Sequence, residues 1–246
     1  MAKRSSRALA AAHAESAEHG KVQPLFGGGW DPLDDRRDQS YVRKVKPRSP
    51  NQQRLLQAIA DHSLTLAIGP AGTGKTYLAV AAAVEALEAG RIERIVLSRP
   101  AIEAGESLGY LPGDMLEKMA PYLRPLFDCL TDRLGGKRLR ALIAEGEIEI
   151  APIGYMRGRT LNNAFVVIDE AQNCTYAQMK MLLTRLGWHS TMVITGDPEQ
   201  TDLLDGLSGL SDIARRLETI PGIAVVRLEE HDIVRHPLVG SMLGVL

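Results

Sequence analysis

The sequence predicts an α/β fold in which a mostly parallel sheet carries helices on both faces. Six short segments rich in Val and Ile have the length of buried strands, and helical patterns separate most of them. A glycine-rich turn joins the first of these strands to a helix. Polar or acidic residues follow several of the strands, at the end where parallel sheets bind their ligands.

Composition narrows the class of protein. The 246 residues are enough for one sizeable domain, and 45% hydrophobic with 24% charged residues is usual for a globular protein. The net charge of −1 gives no global basic footprint. No apolar run is long enough to span a membrane, and no signal peptide is evident. Cys129 and Cys174 form no CxxC pair and are expected to be buried free thiols. We therefore expect a cytoplasmic protein without membrane contact.

Two regions are predicted along the chain. Residues 1–48 form a flexible N-terminal segment, because they mix charges with "FGGGW" and lack apolar periodicity. Residues 49–246 form the folded core. Its first helix is indicated by Ser49 as N-cap, Pro50 in the first turn and Gln52 as capping-box partner. Apolar residues then follow at helical spacing: Leu55, Leu56, Ile59 and Ala60.

The remaining elements alternate between strand and helix. The segment 115–135 is helical in pattern, but Pro121 and Pro125 predict that it is cut into two short helices. Thr175 and Gln178 fit a second capping box. A last helix carries apolar residues from Leu210 to Leu217. The six strands are predicted at 64–68, 94–98, 148–152, 165–169, 191–195 and 223–228.

The segment "GPAGTGKT" (69–76) predicts a phosphate-binding loop. It matches G-x-x-x-x-G-K-[ST] and has a strand before it and a helix after it. Lys75 is placed to reach the β- and γ-phosphates of ATP, and the Thr76 hydroxyl to bind Mg²⁺. The alternative is a glycine-rich turn with an incidental lysine. The predicted nucleotide-binding residues of the loop are Gly69, Pro70, Ala71, Gly72, Thr73, Gly74, Lys75, Thr76 and Tyr77.

One acid, Asp169, ends the strand predicted at 165–169, and a second, Glu170, follows it. Asp169 is expected to hold Mg²⁺, and Glu170 to orient and deprotonate an attacking water. A pair of acids favoured by a helix N-terminus is the alternative, and it suits Glu170 better than Asp169. A small-molecule kinase would have no use for a hydrolytic glutamate. The absence of an [NT]-K-x-D guanine reader speaks against a GTPase.

A third polar segment, "TGDPEQTD" (195–202), follows the next strand. Thr195, Asp197 and Gln200 are candidate sensors that contact the γ-phosphate or its water. Gly-Asp-Pro is also good turn chemistry, so a plain β-turn is the alternative.

The assembled motifs resemble the PhoH family of P-loop ATPases, which are related to superfamily 1 helicases. The resemblance lies in "GPAGTGKT", "SRPAIEAGESLGYLPGDMLEKMAPYLRPLFD", "MRGRTLNNAFVVIDEAQN", "TGDPEQTDL" and "DIVRHPLV". It implies a RecA-like core, ATP binding and hydrolysis, and links to RNA metabolism and phosphate starvation. We expect the chain to lack the additional nuclease-like or nucleic-acid-binding domains that family members often carry.

The resemblance also assigns residues outside the loop. It implies that Gln52 reads adenine, which competes with its capping-box role. Arg235 in "IVRHP" corresponds to an arginine that stabilises transition-state charge. Because the chain has one RecA-like lobe, that arginine would act on a neighbouring subunit in a homo-oligomer, in the family's manner a hexameric ring. A surface arginine is the alternative.

Contact with single-stranded RNA is a further expectation. Basic residues along a track would neutralise phosphates, and tyrosines beside them would stack on bases. A solvated basic face is the alternative, since the chain has only six Tyr, two Trp and three Phe. The candidates are Arg99, Tyr110, Arg138, Arg140, Arg157 and Arg159.

Three functions fit these residues. The leading one is a Mg²⁺-dependent oligomeric ATPase coupled to RNA, with Lys75, Glu170 and Arg235 as catalytic groups. The second is an ATP-gated partner of an RNA-processing enzyme that hydrolyses slowly. The third is a small-molecule kinase.

Overall fold

A six-stranded sheet forms the centre of the molecule. The computed structural model describes residues 45–100, 115–204 and 206–234, and the side chains of 115–121 are left aside. The strands run in the order β3-β2-β4-β5-β1-β6, and every pairing is parallel. Their bounds are β1 (Leu64–Ile68), β2 (Arg94–Ser98), β3 (Ile148–Ile150), β4 (Ala164–Ile168), β5 (Thr191–Gly196) and β6 (Ile223–Arg227). The predicted parallel α/β fold is confirmed.

Both faces of the sheet are covered. Every residue of β1 and β4 is buried, and successive residues of a strand point to opposite faces. The covering helices are α1 (Pro50–Asp61), α2 (Lys75–Glu88), α3 (Met115–Leu134), α4 (Gly136–Ala144), α5 (Tyr176–Leu183) and α6 (Leu210–Leu217). Three short 3₁₀ helices lie at Ile153–Met156, Ala171–Asn173 and Glu230–Asp232.

The strand order decides which loops meet. Strand β5 lies between β1, which leads into the glycine-rich loop, and β4, which leads into the paired acids. All three strands therefore end at the same edge of the sheet, because they are parallel. This is the RecA-like arrangement that the family resemblance implies, and it is confirmed.

The predicted helix starts are confirmed except for one side chain. Ser49 caps α1 by accepting from the Gln52 backbone N–H at 3.2 Å. Thr175 and Gln178 form a full capping box. The capping-box role of Gln52 is wrong, because its Oε1 accepts from the backbone N–H of Arg48 at 2.7 Å while its Nε2 is drawn to the glycine-rich loop. The side chain lies across the start of the helix instead of closing back on Ser49.

The prediction of two short helices around Pro121 and Pro125 is wrong, because α3 is continuous over 20 residues. A proline inside a helix removes one backbone hydrogen bond, at a cost of about 3 kcal/mol. The helix buries a long apolar face that offsets this cost. The buried residues are Leu123, Leu126, Phe127, Leu130 and Leu134. Gly135, with φ of 73°, then separates α3 from α4, a helix that the sequence pattern had not resolved.

Strand β3 ends two residues before the predicted end at residue 152. Pro152 has no N–H for a ladder bond and begins a 3₁₀ helix instead. Within the described ranges, none of the helices combines the length and the apolar character that crossing a membrane requires.

The continuous α3 gives a stability prediction. Pro125→Ala restores an N–H that can donate to the carbonyl four residues earlier, so we expect the free energy of unfolding to rise by about 1–3 kcal/mol. Pro50→Ala is the matched control, because proline suits the first turn of α1 and its loss should destabilise by about 0.5 kcal/mol. Chemical denaturation measures both. A less stable Pro125→Ala protein would contradict the account of α3.

Candidate functional site

The glycine-rich loop connects β1 to α2 with a backbone that only glycine adopts easily. Gly74 has φ of 84° and directly precedes the first residue of α2. Gly69 has φ of 146°, and a Cβ there would lie 2.2 Å from the carbonyl oxygen of Leu228. The loop is thereby folded tightly against the segment that follows β6. Its shape places the N-terminus of α2, with its unpaired N–H groups, at the mouth of a cavity.

Lys75 is turned into this loop. Its Nζ donates to the carbonyl oxygens of Gly69 at 2.6 Å and Pro70 at 2.7 Å. Burial lowers the pKa of Lys75, and the carboxylates of Asp197, Glu170 and Asp169 oppose that shift. The ammonium therefore lies between the loop and three acids, where a phosphate group would take the place of loop carbonyls as its partner.

Asp169 links the three predicted motifs. It directly follows β4, and its Oδ1 accepts hydrogen bonds from the hydroxyls of Thr76 and Thr195, each at 2.6 Å. The residue is only 2% exposed. The first residue after Lys75, the acid after β4 and the threonine in β5 are thus brought to one point.

The donor set around Asp169 suits Mg²⁺. The Thr76 hydroxyl and the Asp169 carboxylate are oxygen ligands, and Mg²⁺ is commonly held by one or two such groups together with phosphates and water. Over the described part of the chain, no three His, Cys, Asp or Glu side chains form a metal cluster. A metal at Thr76 and Asp169 would therefore draw its other ligands from a nucleotide and solvent.

Glu170 is held in a strained conformation. Its backbone is left-handed, with φ of 53° and ψ of 42°, which costs a non-glycine residue about 1 kcal/mol or more. Its Oε2 accepts from Gln172 Nε2 at 2.5 Å, and Gln172 Oε1 accepts from the Asp197 N–H at 3.0 Å. Gln172 is 2% exposed. It therefore fixes the position of Glu170 relative to the segment after β5.

Sequence reasoning assigned no role to Gln172. The residue lies in the "DEAQ" stretch, two positions after the paired acids, and that proximity was the available signal. A second buried amide, Asn173, exchanges hydrogen bonds with Asp202 at 2.9 and 2.8 Å. Together the two amides fasten the 195–202 segment to the acid loop.

The segment after β5 is both a turn and part of the cavity. The Gln200 N–H donates to the Asp197 carbonyl at 3.0 Å, which closes the turn that Gly-Asp-Pro predicts. Asp197 and Gln200 nevertheless line the same cavity as Lys75 and Glu170. The turn is therefore the means by which these side chains are presented.

The cavity has a volume of about 360 Å³. Helix α3 closes one side of it with Pro125 and Cys129, which the sequence had not suggested. Burial raises the pKa of the Cys129 thiol to about 12, with the acids Asp169, Asp128 and Asp132 adding to the shift. Both cysteines are free, as expected; Cys174 is buried as predicted, whereas Cys129 is only partly buried, because it lines the cavity. The other lining residues are Ala71, Gly72, Gly74, Lys75, Thr76, Tyr77, Arg99, Asp169, Glu170, Gly196, Asp197 and Gln200.

Helix α1 and the segment after β6 each donate a hydrogen bond to the backbone of the glycine-rich loop. Gln52 Nε2 donates to the carbonyl of Thr73 at 2.9 Å, so the candidate adenine reader lies against the loop. The N–H of Val234 donates to the carbonyl of Gly72 at 2.9 Å. Asp232 is held by Asn51 Nδ2 at 2.8 Å, which ties the end of the described chain to α1. Arg235 lies outside the described residues.

The candidate RNA residues are not gathered in one place. Arg99 lies in the cavity, beside Asp169 and Glu170. Arg159 makes a two-pronged ion pair with Glu149 at 2.5 and 2.7 Å. Arg138 and Arg140 are on α4, where Arg138 is 3.9 Å from Glu88, and Arg157 is exposed after the 3₁₀ helix Ile153–Met156. Tyr110 falls outside the described ranges.

Comparison with known proteins places most of the chain in one protein family. A family model described as "PhoH-like protein" matches residues 44–246. A PhoH-like protein from Bacillus subtilis is 54% identical over 202 residues, which cover 82% of this chain and 63% of that protein. Protein PhoH from Escherichia coli is 42% identical over 240 residues, covering 96% of this chain and 68% of that protein. The chain thus spans about two thirds of the length of these relatives.

Proposed function

Because the chain belongs to the PhoH-like protein family, we propose that it is a Mg²⁺-dependent ATPase, and that it acts as a cytoplasmic homo-oligomer coupled to RNA metabolism. One observation carries the ATPase proposal. The Asp169 carboxylate accepts from Thr76 of the phosphate loop and from Thr195 of the sensor strand through a single oxygen. A metal-binding acid, a phosphate loop and a sensor then share one cavity, as hydrolysis of a phosphoanhydride requires.

Each group has a distinct task in that reaction. The N–H groups at the start of α2 and the Lys75 ammonium bind the β- and γ-phosphates. Thr76 and Asp169 would hold Mg²⁺, which neutralises phosphate charge when it is bound. Glu170 takes a proton from the attacking water, and Gln172 keeps its carboxylate aimed at that position. Gln52 is proposed to read adenine once nucleotide draws its amide from Thr73.

The position of Glu170 favours hydrolysis over the kinase alternative. Its carboxylate is fixed by Gln172 on one oxygen and approached by Arg99 at the other. A preorganised base beside the phosphate loop would activate water and waste ATP in a kinase. An ATP-gated regulator with slow hydrolysis would use the same residues. The rate of ATP hydrolysis, and whether it depends on RNA or on a protein partner, distinguish that regulator from the RNA-coupled ATPase.

The first prediction concerns Glu170 and Lys75. Glu170→Gln keeps the shape of the side chain and removes the base, so ATP turnover should fall about 100-fold or more while ATP binding is kept. Lys75→Ala should lose ATP binding itself, because a buried cation at the phosphates is removed. Steady-state phosphate release and isothermal titration calorimetry measure the two effects. Undiminished hydrolysis by the Glu170→Gln protein would remove Glu170 as the base.

Coupling to single-stranded RNA is a separate part of the proposal. Tyr155 is 61% exposed, and Arg157 is exposed two residues later. Both follow β3 at the carboxyl edge of the sheet, the edge that also carries the nucleotide cavity. An aromatic face beside a guanidinium suits base stacking and phosphate neutralisation. Arg138 is not part of this surface, because it lies 3.9 Å from Glu88, at the end of α2 that leads to the opposite edge of the sheet. Arg159 is proposed to extend the surface, and so is Tyr110.

The RNA prediction compares two sites on opposite edges of the sheet. A single-stranded oligouridylate should stimulate ATP hydrolysis, and the stimulation should weaken as salt rises. Tyr155→Ala and Arg157→Ala should reduce the stimulation without changing the RNA-free rate. Arg91→Ala is the control, because Arg91 is exposed just before the amino end of β2. Hydrolysis indifferent to RNA would instead favour the ATP-gated partner of an RNA-processing enzyme.

The oligomer is proposed to complete the site with Arg235. Its closed form would be a ring, in the family's manner a hexamer, in which Arg235 of one subunit reaches the ATP of its neighbour. The proposal is supported by the described residues forming one RecA-like lobe, since no second lobe among them supplies a transition-state arginine.

Mixing two inactive proteins tests this arrangement. Arg235→Ala subunits supply Glu170, and Glu170→Gln subunits supply Arg235, so some interfaces in a mixed oligomer regain both groups. Hydrolysis should therefore reappear on mixing and pass through a maximum as the ratio is varied. Light scattering establishes that both proteins assemble. No recovery at any ratio, despite assembly, would contradict an arginine acting between subunits.

A further inference from the structure

Arg99 is fixed at the same level of the sheet as the paired acids. Strands β2 and β4 are neighbours, with Ser98 opposite Ile168, and the Asp169 N–H donates to the Ser98 carbonyl at 2.9 Å. Arg99, the residue that follows β2, is therefore held beside the acids by the register of the backbone. Its guanidinium lies 3.5 Å from Asp169 Oδ2 and 3.4 Å from Glu170 Oε1, and the side chain is 19% exposed.

These ion pairs are loose. Charge-assisted N–H···O bonds are usually 2.7–2.9 Å long, and the nearby Arg159–Glu149 pair reaches 2.5 and 2.7 Å with both oxygens. At 3.4–3.5 Å the two acids attract the Arg99 guanidinium without engaging it in short bonds. Arginine carries five donors in a fork that matches phosphate oxygens, so Arg99 can bind an anion placed in the cavity.

The charges in the cavity indicate which anion. Among the described lining residues, the cations are Lys75 and Arg99, and they face the three carboxylates of Asp169, Glu170 and Asp197. Lys75 approaches from inside the loop, where it bonds to Gly69 and Pro70. Arg99 approaches from the strand that neighbours β4. The terminal phosphate of ATP brings additional negative charge to the acids, and Arg99 is the cation placed on their side to compensate it.

We propose that Arg99 contacts the γ-phosphate within the same subunit and makes the site prefer ATP to ADP. This inference rests on the proposed nucleotide site and adds a specificity residue to it. ADP has no γ-phosphate for Arg99 to bind, whereas Lys75 and the loop N–H groups hold the β-phosphate of both nucleotides. The contact is independent of any neighbouring subunit, so it is distinct from the action of Arg235.

The test compares two nucleotides in one protein. Binding of AMP-PNP, a non-hydrolysable ATP analogue, and of ADP is measured by titration calorimetry with Mg²⁺ present. Arg99→Ala should weaken AMP-PNP binding about tenfold or more relative to ADP binding. Arg99→Lys should recover part of the preference, because it keeps the charge and loses the fork. Arg215→Ala is the matched control, since it removes an arginine paired with Asp212 on α6, outside the cavity, and should leave the ratio unchanged.

The outcomes separate the inference from the proposed function. If Arg99→Ala changes the affinities for AMP-PNP and ADP by the same factor, or changes neither, Arg99 is no γ-phosphate contact while the nucleotide site stands. Retained ADP binding in the variant shows that the cavity is still folded. If the unaltered protein binds neither nucleotide, and Lys75→Ala makes no difference, the proposed function is overturned together with the inference.

Discussion

Two hydrogen bonds to one oxygen of Asp169 join the phosphate loop, strand β5 and the loop of the paired acids. Thr76 belongs to α2, Thr195 to β5, and Asp169 follows β4, so three elements far apart in sequence meet at a single acceptor. A buried carboxylate is costly unless its oxygens are satisfied. The two hydroxyls lower that cost, and they keep the acid in the place where a divalent cation is proposed to bind.

The neighbourhood of Glu170 has the character of a preorganised site. The left-handed backbone of Glu170 is a local cost that the packed sheet supports. Hydrogen bonds from Gln172 to the Glu170 carboxylate and from the Asp197 N–H to Gln172 hold the side chain in place. Because Gln172 contacts both Glu170 and the segment after β5, a displacement of that segment would shift the carboxylate. Arg99 approaches the same carboxylate from β2, so the site draws on every strand from β2 through β1.

Much of this arrangement could be predicted from the sequence, and the failures have physical causes. The six strands, the phosphate loop and the position of Asp169 follow from local pattern and from the rule that ligands bind where parallel strands end. The continuity of α3 did not follow, because burial of its apolar face outweighs two prolines. The surroundings of Arg99 and the amide of Gln52 were also missed, since partners distant in sequence decide where a long polar side chain lies.

The central claim is that Asp169 and Thr76 bind the metal of a bound nucleotide. The direct test is calorimetric titration of AMP-PNP, which stands in for ATP without being hydrolysed, into the unaltered protein and into Asp169→Asn, each with Mg²⁺ and with EDTA. Asparagine keeps the Oδ1 acceptor for both threonines and loses the charge. The account predicts that Mg²⁺ strengthens AMP-PNP binding to the unaltered protein and gives little or no gain in Asp169→Asn, while binding in EDTA is similar. An equal gain from Mg²⁺ in both proteins would contradict it.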